Sequence, residues 1–252
     1  MIKFSYEDLL SGDRIYIDGI GHFRSPRLRE INPTEGIGYF AYKFYVSVLS
    51  WDKGDFLKYM KAIGFRQSDL LGKTEKLNAF DVMTLAANFR PLLTEALGFF
   101  LSEEVLWMGE EHKFITQKDG KDVGWIDREN FDEVRDMMLQ LNCINLGKAS
   151  VIKHSSKKAQ KYWERAQAYL KEESAKSPKE DNFNLGNIIS KLCASGCGYT
   201  LLNIYDLTVF QLWDQFFQYS YLRAVGLSER IFSNHGGEKF DIRDWLKPIT
   251  KF

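Results

Sequence analysis

The 252-residue sequence predicts a mainly helical α+β fold with small antiparallel β segments in its N-terminal half and a helical C-terminal half. Three observations carry that prediction. Apolar residues recur at helical spacing in several separate segments, most densely in the last third. Two stretches, near 12–31 and 104–126, alternate at period two and are punctuated by turn residues. The composition, 44% hydrophobic and 27% charged, is that of a soluble globular chain long enough to bury a core without disulfide or metal staples.

The first β segment follows a short turn. Arg14-Ile15-Tyr16-Ile17 alternates, and Asp18-Gly19 marks a turn. Asn32-Pro33 closes this unit. From Thr34 the texture is helical, and Tyr39, Phe40, Tyr42, Phe44, Tyr45, Val46 and Val48 are too dense for a helix with one wet face. Further helices are expected over Asp55–Ile63, stopped by Gly64, and over Asn78–Ala87 and Arg90–Leu101. Val105-Leu106-Trp107, Phe114-Ile115-Thr116 and Val123-Gly124-Trp125 then read as strands, with Lys118-Asp119-Gly120-Lys121 as a hairpin turn. Whether they pair with the N-terminal strands is open at this level.

Asp127 is the expected cap of the next helix, with Glu129, Asp132 and Glu133 in or near its first turn. Ile126 and Phe131 stand at the staple positions, and Phe131, Val134, Met138 and Leu141 form its apolar face. Residues 152–181 are dominated by lysine and glutamate around Tyr162, Trp163 and Tyr169, and read as a solvated helix followed by a linker through Ser177-Pro178. Leu185, Ile188, Ile189 and Leu192 form a helical stripe, broken by the cluster Ala194 to Gly198. Thr208 and Gln211 then form a capping box, with Leu207 and Leu212 at the staple positions. The helix they open carries Phe210, Trp213, Phe217 and Tyr221 on one face and Gln211, Asp214, Gln215 and Gln218 on the opposite one. The expected organisation is an N-terminal α+β unit over 1–151, a lysine-rich helix and linker over 152–181, and a helical C-terminal unit over 182–252.

Charge and motif content narrow the function. Thirty-four basic and thirty-four acidic residues cancel to a net charge of +0, so no global field draws the chain to nucleic acid or to an acidic membrane. No run approaches the roughly 18 apolar residues needed to cross a bilayer, and the N-terminus lacks a signal-peptide pattern. A cytoplasmic protein without membrane partners is therefore expected. Cys143, Cys193 and Cys197 are too few for a disulfide framework, and Cys193-x-x-x-Cys197 has no second pair to make a metal site. They read as small buried hydrophobes beside a tight turn. Gly19-x-Gly21 and Gly36-x-Gly38 do not extend to a phosphate-binding loop. No serine lies in a nucleophile-elbow pattern. The expectation is no enzyme, no metal and no cofactor. The lysine and aromatic residues of 153–179 fit a nucleic-acid strand less well than a solvated helix, because Glu164, Glu172 and Glu173 dilute their charge. Phe210, Trp213, Phe217 and Tyr221 are the candidate partner-binding residues, either as the core beneath a groove or as its lining.

The stretch Asn203-Ile-Tyr-Asp-Leu-Thr-Val-Phe-Gln-Leu-Trp-Asp-Gln-Phe-Phe217 resembles a pattern in tail-morphogenesis proteins of tailed bacteriophages. There an Asp-Leu-Thr turn opens a helix of the form aromatic-Gln-Leu-aromatic-Asp-Gln-aromatic. Glu129-Asn-Phe-Asp-Glu-Val-Arg135 is similar to a segment upstream of that motif, and the likeness spans roughly residues 125–225. The resemblance implies a tail assembly chaperone or related morphogenesis factor, acting in the infected bacterial cell without chemistry or cofactor. Its implied partners are phage tail proteins, such as the tape-measure or baseplate proteins. A structural virion component, in a baseplate or connector, and a nucleic-acid-binding protein using 153–179 are the alternatives. The sequence leaves the oligomeric state open.

Overall fold

The computed structural model describes residues 3–62, 77–144 and 185–235. They form an α+β fold, mainly helical, with its small antiparallel sheets in the N-terminal half.

Helix α1 (Tyr6–Ser11) is capped by Ser5, whose hydroxyl accepts from the Asp8 amide at 3.0 Å. It ends at Gly12 in the left-handed conformation, φ 70°. Strands β1 (Ile15–Ile17) and β2 (Gly21–Phe23) pair antiparallel around the expected Asp18-Gly19 turn. A 3₁₀ turn (Leu28–Ile31) leads to α2 (Tyr39–Ser50) and α3 (Lys53–Ala62). The helical texture expected from Thr34 begins only at Tyr39, after Gly38 at φ 83°. Helix α4 (Ala79–Leu85) starts on a reciprocal Asn78–Asp81 capping box, and α5 (Arg90–Phe100) carries Pro91 in its first turn.

Strands β3 (Glu104–Met108), β4 (Lys113–Lys118) and β5 (Lys121–Ile126) form a meander in the order β3-β4-β5. Asp119 and Gly120 both lie at positive φ, 52° and 72°, as the tight hairpin requires. A bulge between Thr116 and Gln117 shifts the register of β4 on β5, a feature without a sequence signal. The two sheets are separate ladders, but they are stitched together. The Trp125 amide donates to the Gly19 carbonyl at 3.0 Å, and the Thr116 hydroxyl donates to the Ile20 carbonyl at 2.6 Å. Gly124 makes this approach sterically feasible, since a Cβ there would stand 2.1 Å from the Gly19 oxygen.

Helix α6 (Phe131–Gln140) begins one turn later than the Asp127 cap suggests. The Asp127 carboxylate instead accepts from the Glu129 and Asn130 amides, at 2.8 and 3.3 Å, and so closes the turn that precedes the helix. Ile126 and Phe131 are both fully buried, but with Asn130 as the cap Phe131 is the first helical residue, so the two do not hold the expected staple positions. The core beneath the sheet is aromatic: Phe80 of α4 meets Phe131 edge-on at 5.2 Å and Phe114 at 6.1 Å.

Helix α7 (Leu185–Ala194) buries Ile188, Ile189 and Leu192, and the chain breaks after it at Gly196 and Gly198, both at positive φ. Helix α8 (Val209–His235) follows a 3₁₀ turn (Ile204–Asp206). The chain forms two compact units, Met1–Asn145 with Leu202–Phe252, and Leu146–Leu201. Among the described residues, those of 202–235 thus cluster with the N-terminal unit. The reason is local pairing: the Leu28 amide donates to the Leu207 carbonyl and the Val209 amide to the Pro26 carbonyl, both at 2.9 Å. The lysine-rich helix and linker expected over 152–181 lie outside the described residues. Among the described residues no helix is long and apolar enough to cross a membrane.

Candidate partner-binding cleft

The site is built on the first four turns of α8. Its N-terminus is fixed by the capping box expected from the sequence: the Thr208 hydroxyl accepts from the Gln211 amide at 3.2 Å, and the Gln211 side-chain oxygen accepts from the Thr208 amide at 2.9 Å. The polar stripe of α8 does not face water. The Gln211 side-chain amide donates to the Leu10 carbonyl at 2.8 Å, and the Tyr6 hydroxyl donates to Asp214 at 2.8 Å. Gln218 reaches the same hydroxyl at 3.4 Å. Asp214 is 1% exposed. Burial, reinforced by the Asp214 carboxylate, pushes the Tyr6 phenol up to about 12. This stripe is the seam between α8 and α1.

The aromatic face turns the other way and divides by depth. Phe210 is fully buried, with its amide 3.4 Å from the Ser25 hydroxyl and its carbonyl accepting from the Cys143 thiol at 3.7 Å. Trp213 is half-buried and stacks on Phe217 at 5.8 Å, with the rings 25° apart. Phe217 is 38% exposed. Tyr221, one turn further on, is half-buried and is not part of the cleft wall. Of the four candidate residues, Phe210 therefore lies in the core, while Trp213 and Phe217 line an open cleft of about 310 Å³.

The opposite wall is α2, presenting Tyr39, Lys43, Val46 and Ser47, and the floor is Tyr42, Asn142, Cys143 and Ile144. The polar atoms of the floor are internally satisfied. The Tyr42 hydroxyl donates to Asn142, and the Asn142 side-chain amide donates to the Met138 carbonyl, each at 2.7 Å. The Ser47 hydroxyl donates back to the Lys43 carbonyl at 2.8 Å. Burial pushes the Cys143 thiol up to about 12, which leaves almost no thiolate near neutral pH. It raises the Tyr42 phenol as well. Among the described residues Lys43 is the one charged residue of the lining, with its ammonium 5.5 Å from the Tyr39 ring. Such walls can bury apolar surface and offer little acid–base or nucleophilic chemistry.

Tyr39, Lys43 and Val46 were not legible as site residues. Their i, i+4, i+7 spacing was present, but the aromatic density of α2 hid which face is open. Asn142 to Ile144 carry no local signal. Cys193 is half-buried and Cys197 exposed, so the reading of these cysteines as buried hydrophobes fails for Cys197: the left-handed Gly196 and Gly198 turn that loop outward. Among the described residues no group of three or more His, Cys, Asp or Glu is placed to hold a metal ion.

Residues 176–250 match the model of the YomV second domain, a phage-derived domain family. The match covers less than a third of the chain, but it takes in α7, the Thr208 capping box and the aromatic face of α8. It points to a phage protein. No curated protein and no solved structure matches the chain.

Proposed function

We propose that this chain is a non-enzymatic bacteriophage tail assembly factor that binds another tail protein in the cleft between α2 and α8. The observation that carries the reading is the cleft itself. It is an open apolar groove with internally satisfied polar groups, one wall of which belongs to the domain shared with phage proteins. The tail assignment rests on the likeness of Asn203 to Phe217 to tail-morphogenesis proteins. A leucine- or phenylalanine-sized side chain entering the cleft gains about 1.5–3 kcal/mol from burial, so a few such contacts suffice for reversible binding.

The test is affinity capture of the tagged protein from phage-producing cells, with mass spectrometry of purified particles alongside. The expected result is a tail protein captured by wild type, lost with Phe217→Asp, and the chain itself missing from particles. Fixed copy number in particles would make it a virion component. Capture of no phage protein would overturn the reading.

A further inference from the structure

Helix α1 is held to α8 largely by contacts that water can replace. Of residues 3–11, only Phe4 and Leu9 are buried. The rest of the seam is polar: the Tyr6 hydroxyl on Asp214, the Gln211 side-chain amide on the Leu10 carbonyl, and Gln218 on the Tyr6 hydroxyl. Such bonds add little net stability, because the same groups bond water when the seam is open. A helix of six residues has no stability of its own. Once off α8 it melts, so the segment comes away as one unit, up to the left-handed turn at Gly12.

Asp214 weakens the hold further. It is 1% exposed, and among the described residues no basic side chain pairs with it. Its carboxylate accepts from the Tyr6 hydroxyl at 2.8 Å and from the Gln215 side-chain amide at 3.4 Å. A carboxylate taken out of water with no cation beside it is costly. That cost is present while Tyr6 lies on it and is relieved when α1 lifts and water returns. A neutral side chain of the same shape would hold α1 more firmly than the native aspartate does.

We infer that residues 3–12 form a strap that opens by itself while the rest of the fold stays closed, and that the buried charge of Asp214 keeps it loose. Opening bares the Gln211, Asp214 and Gln218 stripe. The same turns of α8 carry Trp213 and Phe217 on the cleft side. One helix therefore has a cleft face that is always open and a polar face that the strap covers and uncovers.

Amide hydrogen exchange of the full-length protein, followed by NMR at neutral pH in increasing low concentrations of urea, tests it. The Leu9 amide, bonded to the Ser5 carbonyl at 3.2 Å, reports the strap, and the Val134 amide, bonded to the Asn130 carbonyl at 2.9 Å, reports the core. In wild type, Leu9 should exchange at least about a hundredfold faster than Val134, with almost no dependence on urea, because opening the strap exposes little surface. Asp214→Asn keeps an oxygen for the Tyr6 hydroxyl and removes the charge, and the Gln215 side chain can turn over to accept from its amide. This variant should slow Leu9 exchange about tenfold. Tyr6→Phe leaves the carboxylate short of a donor and should speed Leu9 exchange about tenfold, with Val134 unchanged in low urea. Equal rates and equal urea slopes for Leu9 and Val134 in wild type would overturn the strap, since α1 would then open only with the whole fold. Faster or unchanged Leu9 exchange in Asp214→Asn would overturn the role of the charge, and so would a Tyr6→Phe effect as large on Val134 as on Leu9.

Discussion

Phe210 and Phe217 sit two turns apart on the same helix and make opposite demands on the fold. Phe210 is fully buried, so Phe210→Ala removes its whole ring contact and leaves a cavity beneath α8. A fully buried phenylalanine removes 150–250 Å² from water, about 4–6 kcal/mol at 25 cal/mol per Å². That is an upper figure, because the denatured chain already hides part of this area. Measured truncations of this kind cost about 3–5 kcal/mol, and about 4 is expected here. Phe217 is 38% exposed and borders an open cleft, so its truncation leaves no enclosed void. It should cost about 1 kcal/mol, within the ordinary range for a partly exposed side chain. The assay is urea unfolding followed by circular dichroism at 222 nm, with thermal melts in parallel. At about 2–4 °C per kcal/mol for a domain of this size, Phe210→Ala should lower Tm by about 8–16 °C and Phe217→Ala by a few degrees. Partner capture should show the reverse order, with the stable Phe217→Ala protein impaired. Equal stability losses in the two variants would refute the division of α8 into a core end and a cleft face.

Other predictions follow from the packing. The buried Glu103 carboxylate accepts from the His22 amide at 2.9 Å and from the His22 ring at 2.6 Å. Burial alone would raise its pKa, but the His22 hydrogen bonds outweigh it and hold the carboxyl below the usual range. Glu103→Ala should cost about 2–3 kcal/mol at pH 7. Because the folded-state pKa is depressed, that contribution is present above the unfolded value and is lost as pH falls through the folded one, so the gap in urea midpoints should close in acid. At the alkaline end the sign is opposite. The Tyr6 phenol and the Cys143 thiol are both pushed up to about 12, so the stability they carry is full below their unfolded values and is lost as pH rises towards 12. Tyr6→Phe should flatten the fall in Tm between pH 9 and 11. Gly124→Ala should unstitch β5 from the β1–β2 turn, destabilising the fold by about 3 kcal/mol or more, read as loss of protection of the Trp125 amide in hydrogen exchange.

Local chemistry was legible wherever one residue decided the geometry. The Asp18-Gly19 and Asp119-Gly120 turns and the Thr208–Gln211 box stand where their residue types put them. Long-range pairing was not legible. Asp214 and Gln211 read as a polar stripe, and only the three-dimensional position of α1 shows that this stripe is a buried seam. Half of the cleft was visible as aromatic periodicity in α8. The other half needed α2 to lie opposite, and no spacing within α2 states which helix will face it.

That seam bears on how the protein is made. Tyr6 and Asp214 lie 208 positions apart and Ser25 and Phe210 lie 185 apart, yet each pair meets directly. The ribosome delivers one side of these contacts long before the other. At about 5–20 residues per second, the roughly 70 residues between Asn145 and Asp214 take about 3–14 s to synthesise. Throughout that interval the face of α1 that awaits α8 stands open in the nascent chain. Contacts of such long sequence separation also slow the final closure. The molecule thus spends its first seconds with the Tyr6 side of this seam unpaired, and it is a helix encoded about 200 residues downstream that closes it.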